Sequence, residues 1–240
     1  MKKLILIVTI IMASIATQAK TLIVYYSYTN NVERIVNELR TQIEADVIEV
    51  EPAEKGLDYA ADNYAIGSAQ IAAIREKPDD AASYPAIDPV TVDISQYSTI
   101  IIGAPLWWSN MAAPLQTFLF QHGKEMAGKN IGLIVSSASS GIRGVESDAK
   151  RLIPEGNFLS PSLWIRSSQT SNAKMLLQNW LQTIDYNNIA TGIDNIKQDG
   201  QTGITVYSLS GVRLCADTES TATLHTGVYI INGKKRLISR

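Results

Sequence analysis

The sequence predicts an α/β protein: a five-stranded doubly wound parallel sheet followed by a small C-terminal β appendage. Three observations carry this. Short β-branched runs alternate with segments of helical periodicity from residue 20 to about 185. The polar, turn-forming stretches fall just after the first, third and fourth runs, where such a sheet holds its ligand. Beyond Gly192 the helical pattern stops and short strands remain. The 240 residues carry 45% hydrophobic and 18% charged side chains, which excludes a disordered or collagen-like chain. A net charge of −2 excludes a strongly basic nucleic-acid face, and no nucleic-acid partner is expected. One cysteine and two histidines rule out an intramolecular disulfide, a cysteine-rich zinc site or an iron-sulfur cluster.

Residues 1–19 read as a leader. Met1-Lys2-Lys3 precedes an apolar run from Leu4 to Ala13 and a small-residue exit, Ser14 to Ala19. That order is the pattern of a secretory signal peptide, while the apolar run is short of the roughly 20 residues a spanning helix needs. A first β-strand or a membrane anchor is the alternative. Export to the periplasm, cell surface or medium is the expectation, with no stable membrane insertion after cleavage at Ala16 or Ala19. Without the leader, residues 20–189 carry a net charge of −6 and residues 190–240 a net of +2, which supports a boundary near Ala190.

The elements follow in order. Thr21 to Tyr26 is the first strand, and Val32, Ile35, Val36, Leu39 and Ile43 recur as the apolar face of a helix. Asn30 with Glu33 three positions on reads as its capping box. Val47 to Val50 makes a second strand and Asp58 to Ile74 a less regular helix. Thr99 to Gly103 is a buried-strand run, followed by a helix with Leu115, Phe118 and Leu119. Ile131 to Val135, a helix at Val145 to Leu152, and a strand ending at Leu163 to Ile165 come next. The last helix presents Ala173, Leu176, Leu177, Trp180 and Leu181 on one face. Five strands interleaved with helices imply right-handed crossovers and a sheet covered on both sides.

Three loops carry the candidate site residues. Ser27, Tyr28, Thr29, Asn30, Asn31 and Val32 run from the first strand into a helix, offering backbone amides and hydroxyls to a phosphate without any lysine or arginine. The missing lysine disfavours a nucleoside triphosphate, and the missing glycines a dinucleotide loop. An ordinary turn and cap is the alternative. After the third strand come Pro105, Leu106, Trp107 and Trp108. Two adjacent indoles on a loop cannot both enter one core, so one is expected at the surface or over a planar ligand. After the fourth strand, Ser137, Ala138, Ser139, Ser140 and Gly141 offer small groups and amides to a ring edge, or form a flexible polar loop. A phospho-accepting receiver is excluded, because Gly103-Ala104-Pro105 stands where its aspartate would be. A serine hydrolase is disfavoured by the absence of a G-x-S-x-G elbow.

On these residues the segment from 20 to 185 resembles the flavodoxin-like family, and within it the short-chain branch with a Trp-Trp pair in the second loop. The first loop is similar to the family's Ser-x-Thr-Gly-Asn-Thr at Ser27, Thr29 and Asn31, with Asn30 for glycine and Val32 for threonine. Gly103 to Ser109 is similar to Gly-x-Pro-Ile-Trp-Trp-Gly, with Ser109 in the glycine place. Ser140 and Gly141 match the end of the third loop, which lacks both central glycines. The resemblance implies flavin mononucleotide (FMN) as cofactor and electron transfer or reduction of small acceptors as function. It implies a redox partner protein or a small electron acceptor, and a homodimer is compatible with it. An indole against the ring would disfavour its negatively charged reduced form, and Arg143 is placed to offset that charge. A cofactor-free binding module of the same fold is the alternative.

The tail reads as Ile204 to Leu209, Gly211 to Leu214, Val228 to Ile231 and Lys234 to Ile238, with Asn232-Gly233 as a two-residue hairpin turn. Leu209-Ser210-Gly211 and Gly227 to Lys235 resemble the C-terminal sorting domain of the type IX secretion system. An ordinary β appendage is the alternative, and Cys215 is then an unpaired thiol.

Overall fold

The computed structural model describes residues 20–190 and, in the tail, residues 206–207, 213–215, 227–231 and 234–238. The leader therefore lies outside the described residues, as do the Leu209-Ser210-Gly211 and Asn232-Gly233 turns. No described helix is long and apolar enough to cross a membrane. The chain divides into two compact units, Met1–Asp194 and Asn195–Arg240.

In the first unit, β1 (Lys20–Tyr25) pairs in parallel with β2 (Asp46–Glu49) on one side and β3 (Tyr97–Trp107) on the other. Strand β4 (Asn110–Met111) folds back antiparallel on the end of β3. Strand β5 (Asn130–Ser137) lies parallel to the other edge of β3. The fifth strand is in two pieces, β6 (Asn157–Phe158) and β7 (Leu163–Arg166), both parallel to β5. The order 2-1-3-5 with β6 and β7 outermost is the expected doubly wound arrangement, and its direction reverses between β1 and β3. The break in the last strand coincides with Pro161, which has no N–H for the ladder. Its carbonyl instead accepts a 2.7 Å bond from Trp180 Nε1.

The near-continuous apolar strands are explained by helices on both faces. Leu22, Val24, Ile100, Ile102, Leu133 and Val135 point to one side, against α2 (Ala61–Glu76), α3 (Ala113–His122) and α4 (Arg143–Leu152). Ile23, Tyr25, Ile101, Ile134 and Ile165 point to the other, against α1 (Asn31–Leu39) and α5 (Ala173–Thr183). A short α6 (Tyr186–Ala190) follows, and Tyr186 is tied to Thr21 through a 2.8 Å hydroxyl pair.

Two local expectations are corrected. Helix α1 ends at Leu39, one turn before Ile43, where the Thr41 hydroxyl bonds back to the Glu38 carbonyl. Helix α2 starts later than Asp58, and Asp62, Asn63 and Tyr64 have φ of 48°, 55° and 63°. Three successive left-handed residues without glycine cost on the order of 1–2 kcal/mol each, which ordinary helix periodicity gives no sign of.

In the second unit β8 (Val206–Tyr207), β9 (Arg213–Cys215), β10 (Gly227–Ile231) and β11 (Lys234–Ile238) form an antiparallel sheet in the order 11-10-8-9. Ile231 pairs with Lys234, the register of a two-residue hairpin.

Candidate functional site

The carboxyl ends of β1 and β3 meet at the topological switch point. Gly103 makes the approach possible, because a β-carbon there would lie 2.9 Å from Tyr25 Cβ and 3.0 Å from Val32 Cγ1. Val32 is consequently 1% exposed and fills the core under the first loop, leaving only its amide to the loop. The capping box is not formed. Asn30 takes a left-handed φ of 60° with no side-chain cap, and Ser27 Oγ accepts the Glu33 amide at 3.2 Å instead. Asparagine tolerates that conformation better than most residues with a side chain, so it can stand in a glycine place. Among the described residues none accepts a hydrogen bond from the amides of Thr29, Asn30, Asn31 or Val32. Asn31 Nδ2 donates to Thr29 Oγ1 at 3.1 Å, and Thr170 Oγ1 donates to Asn31 Oδ1 at 3.5 Å, bringing the segment after β7 to the same corner.

Beside this loop lies an open cleft of about 620 Å³ lined by Tyr28, Thr29, Tyr59, Ala60, Tyr64, Gly67, Leu106, Trp107 and Trp108. Trp107 is half-buried among rings, with centroids 4.8 Å from Tyr59, 5.6 Å from Tyr26 and 6.4 Å from Tyr28. Trp108 is 39% exposed and reaches over Gly67, where a β-carbon would come within 2.9 Å of its ring. One indole is thus packed and one open, as two adjacent tryptophans on a loop require. Tyr28 donates to Asp58 Oδ1 at 3.2 Å and accepts the Ala60 amide at 3.1 Å, fixing the far wall. Burial pushes the Tyr26 and Tyr59 hydroxyls above the usual tyrosine range, so both are neutral at physiological pH. No Lys, Arg, Asp or Glu is among the nine lining residues.

The Trp pair sits on a hairpin that the sequence does not announce. Leu106 pairs with Met111 and Trp107 with Asn110, leaving Trp108 and Ser109 as a two-residue turn with φ of 46° and 64°. Both central residues of such a turn need positive φ, a conformation that glycine adopts at less cost than serine. Ser109→Gly is therefore expected to raise the unfolding free energy by about 1 kcal/mol, read from the urea midpoint.

The third loop is placed differently. Ala138, Ser139 and Ser140 are exposed, Gly141 has a φ of 76°, and Ser137 is buried. None of the five lines the aromatic cleft, although their loop leads into α4, which abuts the Trp hairpin. Ser137 Oγ is engaged in accepting Trp164 Nε1 at 2.8 Å, and the Arg166 guanidinium lies 4.8 Å from the Trp164 ring. Pro105 belongs to β3 and accepts the Ala112 amide through its carbonyl. Arg143 opens α4 and is exposed. The sequence reading missed Tyr59, Tyr64 and Gly67. They lie beyond β2, in the stretch from Asp58 to Ile74 that the sequence pattern assigns to a less regular helix rather than to a binding loop.

A parallel sheet whose switch point joins an amide-rich loop to an aromatic cleft defines a nucleotide-type or flavin-type α/β binding protein. The family model described as Flavodoxin matches residues 20–184, and the chain belongs to that family. A protein assigned to the flavoproteins from Bacteroides eggerthii is similar at 22% identity, covering 70% of this chain and 98% of its own, with a TM-score of 0.56. Another from Bacteroides uniformis is 24% identical over 67% and 98%, with a TM-score of 0.52. A flavoprotein of Lactobacillus acidophilus, solved in complex with FMN, is 24% identical over 64% and 97%, with a TM-score of 0.51. At these identities the likeness establishes the fold. No curated protein matches the chain.

Proposed function

We propose that the protein is an exported FMN-binding electron-transfer flavoprotein or reductase of small acceptors. The observation that carries this is the joining of two complementary surfaces at one switch point: a cation-free set of amides from Thr29 to Val32 and a flat, uncharged aromatic cleft beside it. The first suits a terminal phosphate, which satisfies donors otherwise left open. The second suits a tricyclic ring, which stacks on indole and phenol faces. When bound, FMN supplies one- and two-electron redox chemistry through that ring.

The chain's own residues then set how that chemistry runs. Ser27 and Thr29 hold the loop in shape, and Trp107 packs one wall of the cleft that would receive the ring. The neutral Tyr59 and the apolar wall disfavour negative charge on the reduced ring, and Arg143 at the start of α4 is available to offset it. Ser137 is engaged by Trp164, and the exposed Ala138, Ser139 and Ser140 lie outside the cleft, so contact with the ring edge would need that loop to approach the bound flavin. The family match and an FMN complex in a structural neighbour support the cofactor. Further parts of the proposal are membership in the Trp-Trp branch, export by the leader, and a tail that acts as a type IX sorting domain. A net charge of −6 on residues 20–189 suits a basic redox partner.

Titration of the purified protein with FMN tests the reading. A yellow one-to-one complex is expected, with riboflavin at least about tenfold weaker because it lacks the phosphate. Protein that stays colourless would instead favour a cofactor-free binding module, the reading to which the buried Val32 lends support.

A further inference from the structure

The hairpin that presents the indoles is held by a buried carboxylate on α4. Gly144 and Asp148 are one helical turn apart on the same face of that helix. At Gly144 the backbone passes so close to the turn that a β-carbon would fall 1.6 Å from the Ser109 carbonyl oxygen. One turn on, Asp148, 6% exposed, accepts two bonds from the hairpin through Oδ2: the Asn110 side-chain amide at 2.9 Å and the Met111 backbone amide at 2.9 Å. Its other oxygen accepts from Arg151 at 3.3 Å. Arg151 is itself fixed by Gln116 Oε1 at 2.7 Å and by the Tyr84 hydroxyl at 2.9 Å. From the opposite side Arg75 of α2 donates to Asn110 Oδ1 at 2.7 Å and to the Trp108 carbonyl. Both ends of the Asn110 amide are therefore taken, one by each flanking helix.

We propose that Asp148 is a positioning residue for flavin binding, holding the Trp107–Trp108 hairpin in register with the helix that follows the third loop. This rests on the reading of the aromatic cleft as the ring site. The carboxylate is the one side chain type that suits this place. It accepts on every side, and each of its three neighbours is a donor. An asparagine there must turn its NH2 either toward the two hairpin donors or toward the Arg151 guanidinium, leaving a donor facing a donor in both cases. A buried mismatch of that kind is relieved by movement of the less anchored partner. On the hairpin side that partner is the Asn110 side chain, since the Met111 amide is fixed in the backbone of β4, and through Asn110 the movement reaches the Arg75 contact and the Trp108 carbonyl.

The test compares wild type with Asp148→Asn, measuring FMN and riboflavin affinity by flavin fluorescence and the visible circular dichroism of the bound ring. Both flavins are expected to bind about tenfold more weakly to the variant, because the ring is common to them, and the dichroic band is expected to change shape. Asn110→Ala removes the amide gripped from both sides while leaving Asp148 its bonds to Met111 and Arg151, and should give the same pattern. It serves in place of Asp148→Asn if that variant does not fold. Asn157→Ala, which deletes a 2.8 Å bond to Gly128 at the far end of the sheet, is the control and should leave flavin affinity within about twofold. Unchanged affinity and dichroism in folded Asp148→Asn or Asn110→Ala would overturn the inference, as would a loss confined to FMN or an equal loss in Asn157→Ala. Failure of the wild type to bind either flavin would instead remove the reading on which the inference rests.

Discussion

A Gly144→Ala substitution is expected to lower the unfolding free energy by about 3 kcal/mol and to abolish tight flavin binding. The added methyl meets the Ser109 carbonyl oxygen at 1.6 Å and its carbon at 2.8 Å. Both atoms are backbone, so no rotamer change relieves the overlap. The helix and the hairpin must separate, which pulls the Asp148 carboxylate from Asn110 and Met111. The cost is thus the steric displacement plus the two bonds that displacement weakens. Chemical denaturation reads the first effect and FMN titration the second. The contrast with Gly128 is informative: a β-carbon there meets nothing within 4 Å, so the same mutation at that site carries only the strain of its φ of 72°.

Trp107→Ala is expected to have the second largest effect, about 3 kcal/mol in stability and up to about a hundredfold in FMN affinity. The indole is the hub of the aromatic wall, in edge or tilted contact with Tyr26, Tyr28, Tyr59 and Trp108. Its removal leaves a void that Tyr59, 3% exposed and held on the first residues before α2, cannot fill. The neighbouring Trp108 provides the comparison. It is partly solvated already, so Trp108→Ala should cost little stability while still weakening the ring contact. Parallel urea melts and flavin quenching curves on the two variants separate packing from stacking. Equal stability losses would contradict the division of labour described for the pair.

The sheet was legible because its physics is local and repetitive. Short β-branched runs such as Ile100-Ile101-Ile102 favour a strand buried on both faces, and the polar segments after β1, β3 and β5 stand out against them. The loop after β1 and the Trp pair at the end of β3 stand out in the sequence against those apolar runs. What escaped depends on residues that look ordinary in sequence. Asp148 stands two before Lys150 and reads as a solvated helix position, yet the close approach at Gly144 buries it. Trp108-Ser109 contains no glycine, so it gives no hairpin signal even though both residues adopt positive φ. Asp62, Asn63 and Tyr64 resemble a first helical turn and instead wind the opposite way. The capping box failed because Asn30 was needed for the turn itself, which handed the capping role to Ser27. Each of these is a case of tertiary geometry overruling a local preference.

The absence of any lysine or arginine between Ser27 and Val32 has one more consequence. If the proposed reading holds, a doubly charged phosphate would approach amides set in a domain of net −6, so the long-range field would oppose its arrival while the short-range dipoles would hold it once seated. Mobile ions screen the former far more than the latter. Retention of the nucleotide should therefore strengthen as ionic strength rises, the reverse of what a cation-clamped site would do.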